Sequence, residues 1–453
     1  METVPQRDLA YTGYRTEIEG APEALITQTS RGTPGGEYLR RFWHPIAYVS
    51  EIEEVPLRAR LLSEDLVVFK DRSGAVGVLH LHCSHRGTSL EYGRVEEHGL
   101  RCCYHGRVFD VDGSVLEMPG ERNADKLSKK FKQGAYPTHV FAGMVFVYMG
   151  PLEKIPPFPM YDKYVLPGMK LVPGPRLPFP CNWVQVQENA MDPAHTAILH
   201  AWEGMFATEF GKFPEITWCE TPIGMAYIAA RRVEEKLWAR STDIMMPTIR
   251  SLTSVFEDGK TEKPCSPPWM TVWTAPVDDR MSINFNLCHV SIDDHTPPEI
   301  RNRAMIDNGG QTGDRPYAVR QRVPGDYDAI TTQGELPAHS LEQLGTLDRG
   351  VAKFRQLLRQ GIKDVQEGRD PHGLLRTSEP VPSYSSDLVV PVAAMNGDPD
   401  DPDDLLAFAE RVRDEYLQTP PLSNTALIPA PPPVPKRRYT FKEAPAETTG
   451  SAG

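Results

Sequence analysis

The sequence predicts an α+β protein in which an all-β domain is followed by a larger domain of strands and helices. Short apolar segments separated by turn residues fill the chain between residues 38 and 150, which is typical of small antiparallel sheets. Helical periodicity is clear only in the second half of the chain. With 453 residues, the protein is also too long for one small domain.

We divide the chain into four segments on these patterns. Residues 1–37 form an N-terminal arm, 38–150 the all-β domain, 151–418 the mixed domain and 419–453 a Pro-rich tail. The Pro-rich stretch that begins at Pro151 marks the connection between the two domains, because consecutive prolines disfavour both helix and central strand.

In the first domain we predict strands over residues 59–62, 66–70 and 76–80. The Asp112-Gly113 pair between apolar residues predicts a hairpin turn. The apolar run over residues 140–149 is about half as long as a membrane span, so we predict a buried strand there.

The second domain combines longer strands with two clear helices. Strand patterns occupy residues 225–232, 269–275 and 281–292. Apolar residues recur at helical spacing over 348–367, and a second helix is predicted over 403–417 behind a run of Asp residues that suits a helix N-terminus.

The overall composition excludes several classes of protein. A net charge of −12 argues against a nucleic-acid partner. No apolar segment is long enough to span a membrane, and residues 1–20 lack a signal sequence. Seven cysteines, an odd number, do not predict a disulfide framework, so we expect a soluble protein of the reducing cytoplasm.

Two short loops carry a set of metal ligands. Cys83 and His85 form a Cys-x-His pair, and Cys102 and His105 form a Cys-x-x-His pair. A zinc ion would bind all four as a closed tetrahedral site. A [2Fe–2S] cluster of the Rieske type would instead take the two Cys on one iron and the two His on the other. A Gly within two residues of each His and the unusual Cys-x-His spacing favour the cluster.

A second constellation lies at Asp192-x2-His195-x4-His200. Two imidazoles and one carboxylate on one face of an iron ion form the facial triad of non-haem iron oxygenases. Residues five apart on a regular helix point about 140° away from each other. We therefore predict an irregular turn, of π type or kinked, between His195 and His200.

The Cys83-x-His85-Arg86-Gly87 loop, followed by Cys102-x-x-His105 and then by the Asp192 motif, resembles the Rieske non-haem iron aromatic ring-hydroxylating oxygenases. The similarity covers nearly the whole chain and points to their α subunits of the phthalate and phenoxybenzoate dioxygenase type. It implies a Rieske domain followed by a helix-grip domain, an antiparallel sheet around a long helix. It also implies a mononuclear Fe(II) bound by His195, His200 and a downstream carboxylate.

The third iron ligand is assigned by counting along the matching pattern. Related chains carry the ligand Asp, a Gly eight residues later, and then a Glu-x-Leu-Gly-x-x-Asp stretch, which stands at residues 342–348 here. Counting back without a gap reaches Asp326, which we choose. Asp328 and Glu335 remain the alternatives.

Asp192 precedes His195 by three residues, so its carboxylate is expected to accept a hydrogen bond from the distal nitrogen of that ring. The resemblance implies a further role, a hydrogen bond to a cluster histidine of the adjacent subunit, either His85 or His105. Electrons would then cross Asp192 between the two metal centres of a head-to-tail homotrimer or a stacked hexamer.

The resemblance implies that electrons from NADH reach the cluster through a separate reductase, with or without a ferredoxin, and that O2 and an aromatic compound are the substrates. We expect ring hydroxylation of an aryl carboxylate, and O-demethylation of a methoxy-aryl acid is the alternative. A Rieske electron carrier or a zinc-stabilised module would be a different class of protein.

A substrate carboxylate needs a cation in the pocket, and Arg suits it because the guanidinium binds a carboxylate with two hydrogen bonds. Among Arg231, Arg232 and Arg240, which lie on or near predicted strands, we choose Arg240. Trp202 and Phe206 are candidate pocket residues because they follow His200 closely.

Overall fold

The computed structural model describes residues 20–201, 208–302 and 310–423. The first 19 residues of the predicted arm, most of the predicted tail, and the candidate pocket residues Trp202 and Phe206 lie outside these ranges.

The first domain is all-β, as predicted. Its antiparallel strands form three small sheets. In spatial order, these are Trp43–Tyr48, Met144–Tyr148 and Thr138–Phe141; Leu57–Leu61, Glu64–Lys70, Val76–His80 and Ala135–Tyr136; and Arg94–Val95, Leu100–Arg101, Val108–Phe109 and Val115–Glu117. The Asp112-Gly113 turn is confirmed, because it joins the last two strands and Gly113 has a φ of 79°, which favours glycine.

The apolar run over residues 140–149 forms a hairpin, so the prediction of a single buried strand is wrong. Thr138–Phe141 and Met144–Tyr148 pair with each other across a turn. Ala142 and Gly143 adopt φ values of 48° and 79° in that turn. Met144–Tyr148 is the central strand of its sheet and is fully buried, whereas Val140 on the edge strand is 47% exposed.

The second domain is built on a large antiparallel sheet. Within the described residues it has eight strands, and Ser386–Pro391 joins it by pairing with Lys236–Met245. The other strands lie in the order Met169–Phe179, Met281–Ser291, Met270–Asp278, Ile249–Leu252, Lys236–Met245, Gly224–Val233 and Glu215–Thr221. The three predicted strands all lie within this sheet.

Two long helices cover opposite faces of this sheet, and both were predicted. Arg349–Gln366 packs Phe354 and Leu358 into the same apolar cluster as Ala229. Pro402–Gln418 packs Phe408 against Ile228. Ile228 directly precedes Ala229 on the strand Gly224–Val233, so the two side chains point to opposite faces of the sheet. The shorter helices in the described ranges include Ala24–Thr27, Pro34–Leu39, Ala124–Leu127, Trp183–Glu188, Tyr317–Arg322 and Asp326–Thr331.

The Asp run before the last helix caps it, as expected. The Asp401 carboxylate accepts hydrogen bonds from the backbone N–H groups of Asp403 and Asp404, at 2.9 and 3.3 Å. None of the helices in the described ranges combines the length and the apolar character that crossing a lipid bilayer requires.

The two domains share one apolar core. Phe146 of the first domain makes an edge-to-face contact with Trp273 of the second domain, with 5.4 Å between the ring centroids. Tyr48 and Phe285 make the same type of contact across the two domains, at 5.5 Å. The backbone N–H of Leu62 donates to the carbonyl oxygen of Pro276 at 2.8 Å. The all-β domain is therefore packed directly on the large sheet.

Candidate active site with two metal-binding centres

The two ligand loops of the first domain are closed by the same type of backbone hydrogen bond. The N–H of Gly87 donates to the carbonyl of Cys83 at 2.8 Å, and that of Gly106 donates to the carbonyl of Cys102 at 3.1 Å. Both glycines have positive φ, 80° and 73°, which is the conformation that these tight turns require. The loops therefore bring two equivalent Cys–His pairs together.

The four side chains are arranged from the inside of the domain outward. Cys83 and Cys102 are buried, whereas His85 and His105 are exposed, and their rings are 4.7 Å apart. Burial raises the pKa of the Cys83 thiol to about 11, so a thiolate there needs a compensating cation. Buried sulfurs beneath two exposed imidazoles fit a [2Fe–2S] cluster with its histidine-bound iron at the surface.

The second centre begins at the end of the helix Trp183–Glu188. The chain continues as the 3-10 turn Asn189–Met191, and after Pro193 it forms another 3-10 segment, Ala194–Ala197, followed by turns up to His200. The irregular geometry predicted between His195 and His200 is confirmed, although it takes the 3-10 form rather than the π form. After Ala197 the chain leaves the regular helical path, and the turns that follow bring the rings of His195 and His200 together, with 5.2 Å between their centroids.

His195, His200 and Asp326 converge on one point. Nε2 of His195 lies 3.5 Å from Oδ1 of Asp326, and Nε2 of His200 lies 3.2 Å from the same oxygen. One ligand atom from each side chain can be chosen so that all three lie within 4.8 Å of one another. Two imidazole nitrogens and one carboxylate oxygen in this arrangement are the donor set of a facial iron site.

The Asp326 carboxylate is held in place by two amides. Asn189 Nδ2 donates to its Oδ1 at 3.3 Å, and Gln311 Nε2 donates to its Oδ2 at 2.5 Å. Burial alone would raise the pKa of Asp326, but the imidazoles of His200 and His195 hold that pKa well below its usual value. The carboxylate is thus ionised and oriented, as a metal ligand must be.

The two alternative carboxylates point elsewhere. Asp328 forms ion pairs with Arg315 and Arg320, at 2.6 and 2.5 Å. Glu335 pairs with Arg280 at the surface, at 2.6 Å. Of the three candidates, Asp326 alone reaches the two histidines, which supports the register counted from the sequence.

Asp192 contacts His195 differently from the sequence-based expectation. The backbone carbonyl oxygen of Asp192, and not its carboxylate, hydrogen-bonds to Nδ1 of His195. The carboxylate oxygen Oδ2 remains 3.7 Å from Nδ1, while Oδ1 accepts from the N–H groups of Ala194 and His195 at 3.0 and 3.3 Å. The carboxylate therefore caps the 3-10 segment, and its side chain stays 34% exposed.

A cavity of about 150 Å³ opens beside the three converging side chains. Much of its wall is apolar, and this part includes Leu177, Phe179, Val186, Leu252, Val272 and Ile330. Three arginines, Arg231, Arg240 and Arg250, also line it. An apolar cavity with a few converging polar groups is typical of a small-molecule site.

Arg240 lines this cavity but is committed to another partner. Its Nε and Nη2 donate to the two carboxylate oxygens of Asp387, at 2.8 and 3.1 Å, and Nη2 also donates to the carbonyl of Ser254. Asp387 is only 1% exposed. This bidentate pair uses the guanidinium edge that a substrate carboxylate would need, so the geometry does not favour Arg240 as its receptor.

Arg250 was not singled out by sequence reasoning. It belongs to the four-residue strand Ile249–Leu252, in which Arg250 and Leu252 line the cavity while Ile249 and Ser251 are buried. Each face of this strand carries one apolar and one polar residue, so the sequence does not show which face meets a cavity.

Comparison with known proteins identifies the family of this chain. Residues 42–136 match the family model of the Rieske [2Fe-2S] domain. The chain is 42% identical over 410 residues to the "Tert-butanol monooxygenase / tert-amyl alcohol desaturase oxygenase subunit" of Aquincola tertiaricarbonis, covering 83% of this chain and 85% of the relative. It is 34% identical over 392 residues to the "Phenoxybenzoate dioxygenase subunit alpha" of Ectopseudomonas oleovorans, covering 82% and 93%.

Solved structures show the same fold. The structure titled "Pseudomonas putida CBB5 NdmA QL mutant with caffeine" superimposes with a TM-score of 0.59 at 20% identity, covering 78% of this chain and all of that chain. The fold and the Rieske domain agree with the sequence relatives, which are more than 30% identical to this chain over most of their length and of its length. The chain belongs to the oxygenase α subunits of the Rieske non-haem iron oxygenases.

Proposed function

We propose that this protein is the terminal oxygenase of a multicomponent system that uses O2 and NADH-derived electrons to hydroxylate a single-ring aromatic carboxylate. The observation that carries the proposal is the placement of His195, His200 and Asp326 at a largely apolar cavity. The chain also carries a Rieske domain, whose cluster can relay NADH-derived electrons to such a site.

Each residue has a role in this proposal. Cys83, His85, Cys102 and His105 would hold the [2Fe–2S] cluster, and His195, His200 and Asp326 would hold Fe(II). When bound, these groups supply electron transfer and the activation of O2. Asn189 and Gln311 orient the Asp326 carboxylate, and the Asp192 carbonyl fixes the ring of His195 through Nδ1. The apolar walls position the substrate and exclude water.

Electron delivery would cross a subunit boundary. His85 and His105 are exposed at the end of the first domain, and the Asp192 carboxylate is partly exposed beside the second centre. We propose that these surfaces meet in a head-to-tail trimer or a stacked hexamer, so that Asp192 links a cluster histidine of one subunit to His195 of the next. A separate reductase, with or without a ferredoxin, would dock on the cluster end.

The domain limits and the location of the protein follow from the sequence. We propose that residues 38–150 and 151–418 are the cluster and iron domains, flanked by the arm and the tail. Seven cysteines, of which Cys83 and Cys102 are assigned to the cluster, suit the reducing cytoplasm.

The cavity supports a small substrate. An apolar protein cavity of about 150 Å³ accommodates benzene, and the cavity here has a similar volume. A one-ring compound therefore fits better than a two-ring compound such as phenoxybenzoate. The competing class is a small neutral alcohol, because one relative is named for tert-butanol.

The first test is spectroscopic and analytical. We expect a red-brown protein with about three irons and two acid-labile sulfides per chain. With a reductase and NADH, aromatic acids should stimulate O2 uptake, and products should be analysed by mass spectrometry. A cis-diol or phenol without formaldehyde indicates hydroxylation, and formaldehyde with a phenol indicates the alternative, O-demethylation. A colourless zinc protein without O2 uptake would contradict the proposal.

A further inference from the structure

The three arginines that line the cavity differ in how their charge is used. Arg240 is neutralised by its bidentate pair with Asp387. Nε and Nη2 of Arg231 donate to the Lys212 carbonyl and the Thr196 hydroxyl, and its Nη1 has no hydrogen-bond partner among the described residues but lies buried in a side chain that is only 1% exposed. The Nε–Nη2 edge is therefore occupied in Arg231 and Arg240, whereas in Arg250 it is open to the cavity.

Within the part of the chain that the structure describes, Arg250 hydrogen-bonds only to neutral groups. Its Nη1 donates to Gln187 Oε1 at 3.1 Å and to Thr274 Oγ1 at 2.8 Å. Among the described residues, neither its Nε nor its Nη2 makes a hydrogen bond, and the guanidinium forms no ion pair. Its side chain is partly exposed although it lies in the interior sheet, because it faces the cavity. A cation in such a position lacks its counter-ion.

Nearby charges do not neutralise this cation. Burial lowers the pKa of Arg250 to about 10, so the guanidinium remains charged at neutral pH. The negative charge of Asp326 acts in the opposite direction and raises this pKa, but the two side chains do not form an ion pair. Asp326 itself is directed at His195 and His200. A partly buried cation that retains its charge is stabilised by an anionic ligand.

We propose that Arg250 binds the carboxylate of the substrate and selects aromatic acids over neutral compounds of the same shape. The inference rests on the proposed function and specifies its substrate class. The free edge formed by Nε and Nη2 can donate two parallel hydrogen bonds to a carboxylate. Gln187 and Thr274 fix the guanidinium from the other side, so the carboxylate would be held at the polar wall with the ring against the apolar walls.

The test is calorimetric binding to the intact, oxidised holoenzyme without reductase, so that no turnover occurs. The probes are benzoate, phthalate and 4-methoxybenzoate, each compared with its primary amide. In the unmodified protein we expect the acids to bind more tightly than the amides. Arg250→Gln should weaken binding of the acids by about 10- to 100-fold, as expected for losing a charge-assisted pair, and leave the amides within about twofold.

Two further variants separate charge from shape. Arg250→Lys keeps the cation and should recover part of the affinity for the acids. Arg232→Gln removes a cation that pairs with Asp400 outside the cavity, and it should bind every probe like the unmodified protein. The melting temperature of each variant shows that it is folded.

Several outcomes would overturn the inference. One is that the unmodified protein binds acids and amides with equal affinity. Another is that Arg250→Gln loses affinity for acids and for amides by the same factor. A third is that the protein binds tert-butanol or an amide but binds none of the acids. These results concern binding alone. Failure of the proposed oxygenase activity would appear separately, as missing iron or as missing O2 uptake with every substrate.

Discussion

The backbone carbonyl of Asp192 hydrogen-bonds to Nδ1 of His195, while the carboxylate of the same residue is 3.7 Å from that nitrogen. One residue therefore performs two separable tasks. Its carbonyl orients the imidazole, and its side chain caps the 3-10 segment and remains partly exposed for another contact.

This division predicts different effects for two substitutions of Asp192. Asp192→Asn keeps an oxygen that can accept from Ala194 and His195, so iron content should match the unmodified protein. Asp192→Ala removes the cap, which costs about 1 kcal/mol and should lower iron content. Both remove the charge and should slow single-turnover electron transfer from the reduced cluster by about 10- to 100-fold.

Iron analysis and stopped-flow measurement of cluster reoxidation check this. Unchanged reoxidation in both variants would rule out the bridging role of the side chain. Equal iron loss in both would show that the charge, rather than the cap, supports the iron site.

A matched pair of substitutions tests the assignment of the third iron ligand. Asp326→Asn replaces a carboxylate ligand by a weak neutral one, so mononuclear iron should fall by about tenfold or more while the visible absorption of the cluster remains. Asp328→Asn breaks the ion pairs with Arg315 and Arg320 but should retain the iron. The measurement is the iron content of both proteins, normalised to acid-labile sulfide. Loss of mononuclear iron in Asp328→Asn but not in Asp326→Asn would assign the ligand to Asp328.

The buried pair of Arg240 and Asp387 should matter for stability rather than for substrate charge. Arg240→Met leaves the Asp387 carboxylate buried without its cation, which should cost about 3–5 kcal/mol. The double substitution Arg240→Met with Asp387→Leu should recover much of this loss, because no unpaired charge remains. By contrast, Arg250→Gln should stay within about 1 kcal/mol of the unmodified protein.

Denaturant unfolding of the four proteins measures these differences. A mild effect of Arg240→Met on stability, together with selective loss of acid binding, would return the substrate role to Arg240.

Acid sensitivity should arise partly from His44 in the first domain. Burial lowers the pKa of His44 to about 4, so the folded protein keeps this imidazole neutral while the unfolded chain takes up a proton near its ordinary pKa of 6.5. Since the unfolded state binds more protons between these values, stability should fall as the pH decreases from about 6.5 to 4, by about 1.4 kcal/mol per pH unit.

His44→Gln retains a donor for the Leu39 carbonyl and removes this titration. The decrease in melting temperature between pH 7 and pH 5 should therefore be smaller in His44→Gln than in the unmodified protein. His98→Gln, at an exposed position, is the control and should behave like the unmodified protein. An identical decrease in all three proteins would contradict the prediction.

The sequence by itself determined the local parts of both candidate metal centres. Side chains separated by one to four residues stay close together in the folded chain, so the spacings of Cys83 with His85, Cys102 with His105, and His195 with His200 already limit the metal chemistry. The amphipathic helix Arg349–Gln366 was predictable for a similar reason, since its apolar residues recur at the helical period.

Tertiary structure decided everything that depends on distant partners. Arg240 and Asp387 are 147 residues apart in the chain, and no local pattern shows that they neutralise each other. Arg250 has neutral Gln187 and Thr274 beside it, the first from a helix and the second from the sheet, whereas Arg240 has a carboxylate. The charge available to a ligand is a property of the folded surroundings, because pairing between side chains depends on distance in space and not on separation in sequence.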